Sequence, residues 1–392
     1  MKQLLFVFLI ATSLAAAPDG LLLDRIVPPG EKDRFQHAEF SCWIPDASKP
    51  IKAVIIHQHG CTNASPDKHP PITGDWHWRA LARKYDAALL VPMYHVAGNC
   101  DEWNNPDSGS ERALFTALED FAQRSKRPEL KASPWVLWGH SGGSSWSAQM
   151  IVRHPQRVLA ASFRGGCHKQ FGDPAFRTKF GPIVRELPLL FVWGKRESVP
   201  TSSHFVSWEP MNTMYRELRE QGGKVCRVID PRSEHGCDDS RLMSINFFDA
   251  ELSGQANAGP STDASVPWQP NDSFAALWRE FSEHGTLKPK SPPLQAPTLT
   301  AKRDANGVQL DWLIVPNLVG GLRAIHLHRD GKLWKEIGID EDAFISTGRD
   351  STPVELRVHS LVDQSKEPHS YTLTFLDVGG NESPPSEVVR VP

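Results

Sequence analysis

The sequence predicts an α/β unit built on a mostly parallel sheet flanked by helices, followed by a small C-terminal all-β sandwich. From about Glu39 to Ala250, short apolar runs rich in β-branched residues alternate with helical stretches. After Glu251 the composition turns to Gly, Pro, Ser, Ala and Asn, and then to a Pro-rich stretch. From Pro297 the apolar residues recur with a period of two, the spacing of half-buried strands.

The chain of 392 residues opens with Met1-Lys2-Gln3, an apolar segment from Leu4 to Ile10, and small residues ending in Ala15-Ala16-Ala17. A basic start, a short apolar core and an A-x-A-like end have the layout of a secretory signal, expected over residues 1–17 and implying a secreted or periplasmic protein. A single N-terminal membrane anchor is the alternative. Strands are expected at Ala38 to Ile44, Ala53 to His57, Ala87 to Met93, Trp135 to Trp138, Val158 to Phe163, Leu189 to Trp193 and Val225 to Ile229. Their continuous apolar character suits strands covered on both faces. Helices are expected at Trp76 to Lys84, Arg112 to Arg124, Ser144 to His154 and Trp208 to Gln221. A further one, Phe274 to His284, carries Ala276, Leu277, Trp278 and Phe281 on one face.

These elements place an α/β domain at residues 18–285. Lys288-Pro289-Lys290-Ser291-Pro292-Pro293 marks a stiff, extended linker at 286–296. In residues 297–392, Val308, Leu310 and Trp312 alternate with polar residues, as do Ile325 with Leu327 and Tyr371 with Leu373 and Phe375. Asp330-Gly331 and Gly379-Gly380-Asn381 supply turns.

At a net charge of -3, with no block of Lys and Arg, the chain offers no electrostatic reason to bind nucleic acid or an anionic membrane. A small neutral or mildly charged substrate is the partner expected, free or attached to a polymer; composition says nothing of oligomeric state.

Chemistry concentrates in Gly139-His140-Ser141-Gly142-Gly143, which fits G-x-S-x-G between an apolar strand and a helix. A serine on so tight a turn has a strained backbone, and small neighbours leave room for the turn and for a substrate carbonyl. Ser141 is thus the candidate nucleophile, and the Gly142 N–H a candidate oxyanion donor at the helix start. A Gly-rich turn that only caps a helix is the plain alternative. A serine needs a base, expected in the loop after the last strand, and His235 in Ser233-Glu234-His235-Gly236 stands there. His168 and His204 are its rivals. The orienting carboxylate belongs after the preceding strand, where Gly194-Lys195-Arg196-Glu197 offers Glu197, with Asp230 and Asp173 as fallbacks. His59-Gly60-Cys61-Thr62 follows an earlier strand, so the Cys61 backbone N–H is the second candidate oxyanion donor. His140, Trp103 and Trp146 are candidate substrate-binding side chains, on segments that could rim a pocket.

With these residues in place, 38–250 resembles the α/β-hydrolases, and the elbow together with His59-Gly60-Cys61-Thr62 is similar to secreted depolymerase and feruloyl-esterase-like members. The Trp312 strand, the His328-Arg329-Asp330-Gly331 hairpin and the ending from Tyr371 to Ser386 resemble a fibronectin type III module. The first resemblance implies a serine esterase working through an acyl-enzyme on Ser141, with no metal and no organic cofactor. A serine peptidase of the same fold and a catalytically silent binding protein are the alternatives. The histidines His57, His59, His69, His77 and His95 have no tight ligand spacing and read as structural or pocket-lining rather than metal-binding. In an exported chain the six cysteines can pair. Cys61 with Cys100 and Cys167 with Cys237 are the expected disulfides, with Cys42 and Cys226 unassigned.

Overall fold

A computed structural model describes residues 20–61, 76–98, 100–237, 240–254, 263, 265–285, 287, 296–313, 322–338, 360–377 and 382–392. The expected signal segment, His69, most of the Pro-rich linker and the Gly379-Gly380-Asn381 turn lie outside the described residues.

The larger sheet has eight strands: β1 (Leu21–Val27), β2 (His37–Ile44), β3 (Ala53–Gln58), β4 (Ala87–His95), β5 (Trp135–Ser141), β6 (Val158–Gly166), β7 (Leu189–Gly194) and β8 (Val225–Asp230). Their spatial order is β1-β2-β4-β3-β5-β6-β7-β8. β1 and β2 run antiparallel to their neighbours, and β4, β3, β5, β6, β7 and β8 are mutually parallel. This is the strand order of the α/β-hydrolase fold.

Helices cover both faces. α2 (Ser110–Ser125), α3 (Gly142–Arg153), α4 (His168–Gly172), α5 (Pro174–Val184) and α6 (Phe205–Glu220) bury Leu114, Trp146, Phe171, Phe180 and Met211 against one face. α1 (Trp76–Lys84), α7 (Ser240–Leu252) and α8 (Asp272–His284) bury Leu81, Phe247 and Phe281 against the other. β3 is wholly buried, as a strand covered on both faces must be. The apolar runs therefore mark the central strands within a few residues. β1 is an addition to the strands expected from the sequence: its apolar residues Leu21-Leu22-Leu23 and Ile26-Val27 are split by Asp24-Arg25, and only Leu23 and Val27 are buried. The helices α4, α5 and α7 are likewise additions to what the sequence predicts.

The chain leaves β3 for β4 on one side and later enters β5 on the other, so the order reverses between β3 and β5. Ligand crevices of open α/β sheets form outside the carboxyl ends of strands at such a reversal, and β5 ends there at Ser141.

The C-terminal residues form two antiparallel sheets. One joins β9 (Thr298–Asp304), β10 (Gly307–Leu313) and β13 (Ser360–Asp363) in the order β13-β10-β9. The other joins β11 (Leu322–Arg329), β12 (Lys332–Gly338), β14 (His369–Asp377) and β15 (Val389–Val391) in the order β12-β11-β14-β15. Val308, Leu310 and Trp312 from the first sheet share one core with Ile325, Leu327, Leu373 and Phe375 from the second. The period-two residues are thus the inward faces of a sandwich.

Candidate active site

Ser141 sits at the junction of β5 and α3 with φ 52° and ψ -115°. A non-glycine residue with positive φ costs on the order of 1–3 kcal/mol and persists only where its surroundings enforce it. The enforcement is steric. A Cβ added at Gly139 would lie 2.4 Å from the Gly143 carbonyl oxygen, and one at Gly143 would lie 2.3 Å from the carbonyl oxygen of Gln58. Both outer glycines of the motif are therefore required by close backbone packing, one within the turn and one against the end of β3. Ser144 Oγ donates to the Gly139 carbonyl at 2.7 Å and closes the turn.

Glu197 lies on a 3-10 turn, Lys195–Ser198, directly after β7. His235 lies in the loop after β8. Its Nδ1 donates to Glu197 Oε1 at 2.6 Å, which leaves Nε2 as the unprotonated, basic nitrogen. Beneath this pair runs the end of β6: a Cβ at Gly165 would meet His235 Cε1 at 2.9 Å and Glu197 Oε1 at 3.0 Å. The adjoining Gly166 pairs with Ser141 across β5 and β6. Serine, imidazole and carboxylate thus gather at one end of the sheet. His235 Nε2 is buried and makes no hydrogen bond among the described residues, so the Ser141–His235 contact is not closed. In serine triads that contact is often long before substrate arrives and tightens with it.

A buried guanidinium builds the rest. Arg164, on β6 and 1% exposed, pairs with Glu197 Oε2 at 3.0 Å. It also donates to Ser233 Oγ at 3.1 Å, to the Glu234 carbonyl at 2.7 Å and to the Gly236 carbonyl, so it grips the loop on both sides of His235. The Gly194 N–H donates to Glu197 Oε2 at 2.8 Å. Burial alone would raise the Glu197 carboxyl, but Arg164 and the hydrogen bond from His235 bring it below its ordinary value, and it stays ionised. His235 is held below the ordinary imidazole range, first by burial and then by the neighbouring His140; the Glu197 hydrogen bond partly offsets this. Arg164 was not among the residues that sequence reasoning singled out. The signal for it was an arginine inside the apolar run Ala160-Ala161-Ser162-Phe163-Arg164, because a charge on a strand covered on both faces has to be paired.

His140 and the two tryptophans require correction. His140 is 1% exposed, and its Nε2 donates to the His235 carbonyl at 2.7 Å. It positions the histidine loop rather than presenting a surface to substrate. Trp103 and Trp146 are both 0% exposed. Trp103 stacks on Tyr94 with centroids 5.3 Å apart, and Trp146 Nε1 donates to Ser110 Oγ at 3.0 Å. Both fill the core between the sheet and its helices, with no surface left for a ligand.

The fallback acids do other work. Asp230 Oδ1 accepts from the Arg232 and Ser233 N–H groups, shaping the loop, and Asp173 caps α5 through the Ala175 N–H. Of the rival bases, His168 opens α4. His204 lies flat on His235, with centroids 3.7 Å apart and planes within 4°.

Gly142 is the first residue of α3, so its N–H belongs to the helix N-terminus beside Ser141. Gln58 and His59 abut Gly143, and Cys61 follows two residues on, exposed. Cys61 is disulfide-bonded, while the side chain of Cys100, its expected partner, lies outside the described residues. The expected Cys167–Cys237 bridge does not form: Cys167 is a buried free thiol in the core beneath α3 and α4.

No family model matches the chain, and no curated protein matches it. Among solved structures, an esterase from Pyrobaculum calidifontis is 14% identical, with a TM-score of 0.39 over 61% of this chain and 86% of that one. An S-formylglutathione hydrolase from Agrobacterium tumefaciens is 15% identical, with a TM-score of 0.40 over 62% and 97%. A Pyrococcus horikoshii acylaminoacyl peptidase is 12% identical, with a TM-score of 0.41 over 62% of this chain and 43% of that one. At such scores the strand order, not these likenesses, carries the fold, and the chain has the α/β-hydrolase fold with a C-terminal antiparallel β region.

Proposed function

We propose that this protein is a serine hydrolase of carboxylic esters. Ser141 attacks the substrate carbonyl while His235 Nε2 takes its proton, and the N–H groups of Gly142 and Cys61 receive the developing negative charge. The alcohol leaves with the proton held by His235, and water activated by the same nitrogen then hydrolyses the acyl-enzyme, returning Ser141. Glu197 fixes the tautomer and stabilises the imidazolium formed at each step. Side chains and backbone supply all of this chemistry, with no call for a metal or an organic cofactor.

The observation that carries the reading is the 2.6 Å bond from His235 Nδ1 to a buried, ionised Glu197, set at the same sheet end as a serine held at positive φ. A structural ion pair needs no strained serine beside it. We further place the protein outside the cytoplasm, from the layout of residues 1–17, acting on polysaccharide-linked acyl or aromatic esters or on a polyester. The C-terminal sandwich, read as fibronectin type III-like, serves as a spacer.

A fluorophosphonate probe with p-nitrophenyl acetate, feruloyl esters, polyester film and peptide anilides tests this. Labelling at Ser141 and ester turnover that both vanish in Ser141→Ala support the reading. Labelling that survives in the variant overturns it, and faster cleavage of anilides than of esters would make the protein a peptidase.

A further inference from the structure

Away from Ser141, three side chains on the outer strands have no part in the chemistry above. His37 opens β2 and pairs directly across the ladder with His95, which ends β4. Glu39, two residues further along β2, projects from the same face as His37. The two imidazoles stack with centroids 4.1 Å apart and planes within 11°. Glu39 Oε1 lies 3.3 Å from His37 Nε2 and 3.4 Å from His95 Nε2. The donor atoms of all three residues lie within 4.8 Å of one another.

These separations bear on two readings. A charge-assisted imidazole–carboxylate hydrogen bond would be about 2.7–2.9 Å long. Ligands at about 2.0–2.2 Å from a tetrahedral zinc ion stand roughly 3.3–3.5 Å from one another. The Glu39 distances fall in the range of the edges of a coordination tetrahedron; the 3.3 Å contact with His37 is also a weak hydrogen bond, and one of the stacked rings has to turn for both in-plane lone pairs to reach a single ion. His95 Nε2 is moreover buried, and its contact with Glu39 Oε1 at 3.4 Å falls short of good hydrogen-bond geometry, so an ion that takes its lone pair would satisfy it better. His37 and Glu39 are each 37% exposed, so an ion can enter from solvent.

We propose that His37, Glu39 and His95 form a divalent-cation site of the zinc type, two imidazoles and one carboxylate, with the fourth position open to water. Imidazole nitrogen with one carboxylate oxygen suits zinc and disfavours magnesium or calcium, which take oxygen ligands. The site bridges β2 and β4, an antiparallel pair at the outer part of the sheet. β4 is separated from β5 by β3, so the ion stands on the order of 10 Å from the elbow strand, two strand spacings away. Its effect is to clip the two strands together, not to polarise a substrate.

The test uses the full chain stripped with EDTA. Zinc is titrated calorimetrically against wild type, His37→Ala, His95→Ala and Glu39→Gln, and the melting temperature is followed with and without zinc. One tight zinc per chain and a raised melting temperature are expected, with affinity reduced about 10-fold or more on loss of either imidazole. Cobalt(II) in place of zinc gives the visible absorption of a four- or five-coordinate site, lost in His95→Ala. Equal zinc affinity in wild type and the His37→Ala/His95→Ala double variant overturns the site, because it assigns the binding to other histidines. Should an alanine variant fold poorly, Glu39→Gln keeps the side-chain volume and the cobalt spectrum of wild type still decides. Ester turnover is expected to be equal in wild type and Glu39→Gln, so failure here and failure of the hydrolase reading are separately visible.

Discussion

The turn that carries Ser141 and the loop that carries His235 meet at one sheet end but are built by opposite means. The turn is local. Five consecutive residues set it, and two glycines hold its shape because any Cβ would strike backbone at 2.3–2.4 Å. The loop is assembled from afar: Arg164 on β6, Glu197 after β7 and His140 on β5 all reach it through hydrogen bonds. Steric exclusion tolerates almost no substitution but needs no partner, whereas a buried polar network depends on every member being satisfied. The two halves should therefore fail differently when mutated, the first in the chemistry or the packing of one turn and the second in the placement of the base.

Removing the proposed nucleophile gives the largest effect. Ser141→Ala should lower kcat by about 10⁴-fold or more, with folding unchanged; a rate within 10-fold of wild type would move the reaction elsewhere. Glu197→Gln comes next, at about 10³–10⁴-fold in kcat, since the amide can present its NH₂ to Nδ1 and favour the wrong tautomer. Arg164→Met tests the network as such. Deleting one partner of a buried pair leaves the other uncompensated, which costs about 3–5 kcal/mol. A chemical-denaturation midpoint that does not move would show the loop to be held by something else. Combining Arg164→Met with Glu197→Gln should recover part of that stability and none of the activity. Gly143→Ala, the matching insult to the turn, should cost about 1–3 kcal/mol as overpacking.

The same division governs what could be read in the sequence. The turn was legible because its residues are contiguous and its strand and helix flank it, and Glu197 was legible from its offset after a strand. The central strands were legible because burial on both faces makes them continuously apolar. β1 was missed: its apolar residues are split by Asp24-Arg25 and only Leu23 and Val27 are buried, so it shows neither a continuous run nor a clean alternation. Trp103 and Trp146 looked like pocket residues because an aromatic on a helix or loop does not say which way it faces; both point into the core. Arg164 was missed, although a charge inside an apolar run was there to be read. His37 and His95 are 58 positions apart and become neighbours only through the register of β2 on β4, so ligand spacing along the chain gave no hint of them.

The smallest effects concern the proposed base itself. His235 titrates below the ordinary imidazole range because it is buried and faces His140, so at pH 6 more of it is unprotonated than an exposed histidine would be. The acid limb of kcat/KM should accordingly fall at a pH below about 6.5, the free-histidine value. His204 covers one face of the ring with its own, at 3.7 Å. His204→Ala opens that face to water, which relieves part of the desolvation and should move the limb up toward 6.5, with a loss of kcat of about a few-fold from the less firmly placed ring. His204→Phe restores the cover and should return the limb to its wild-type position. If the limb stays put in the alanine variant, the burial that matters comes from the His140 side, and the network alone sets the base.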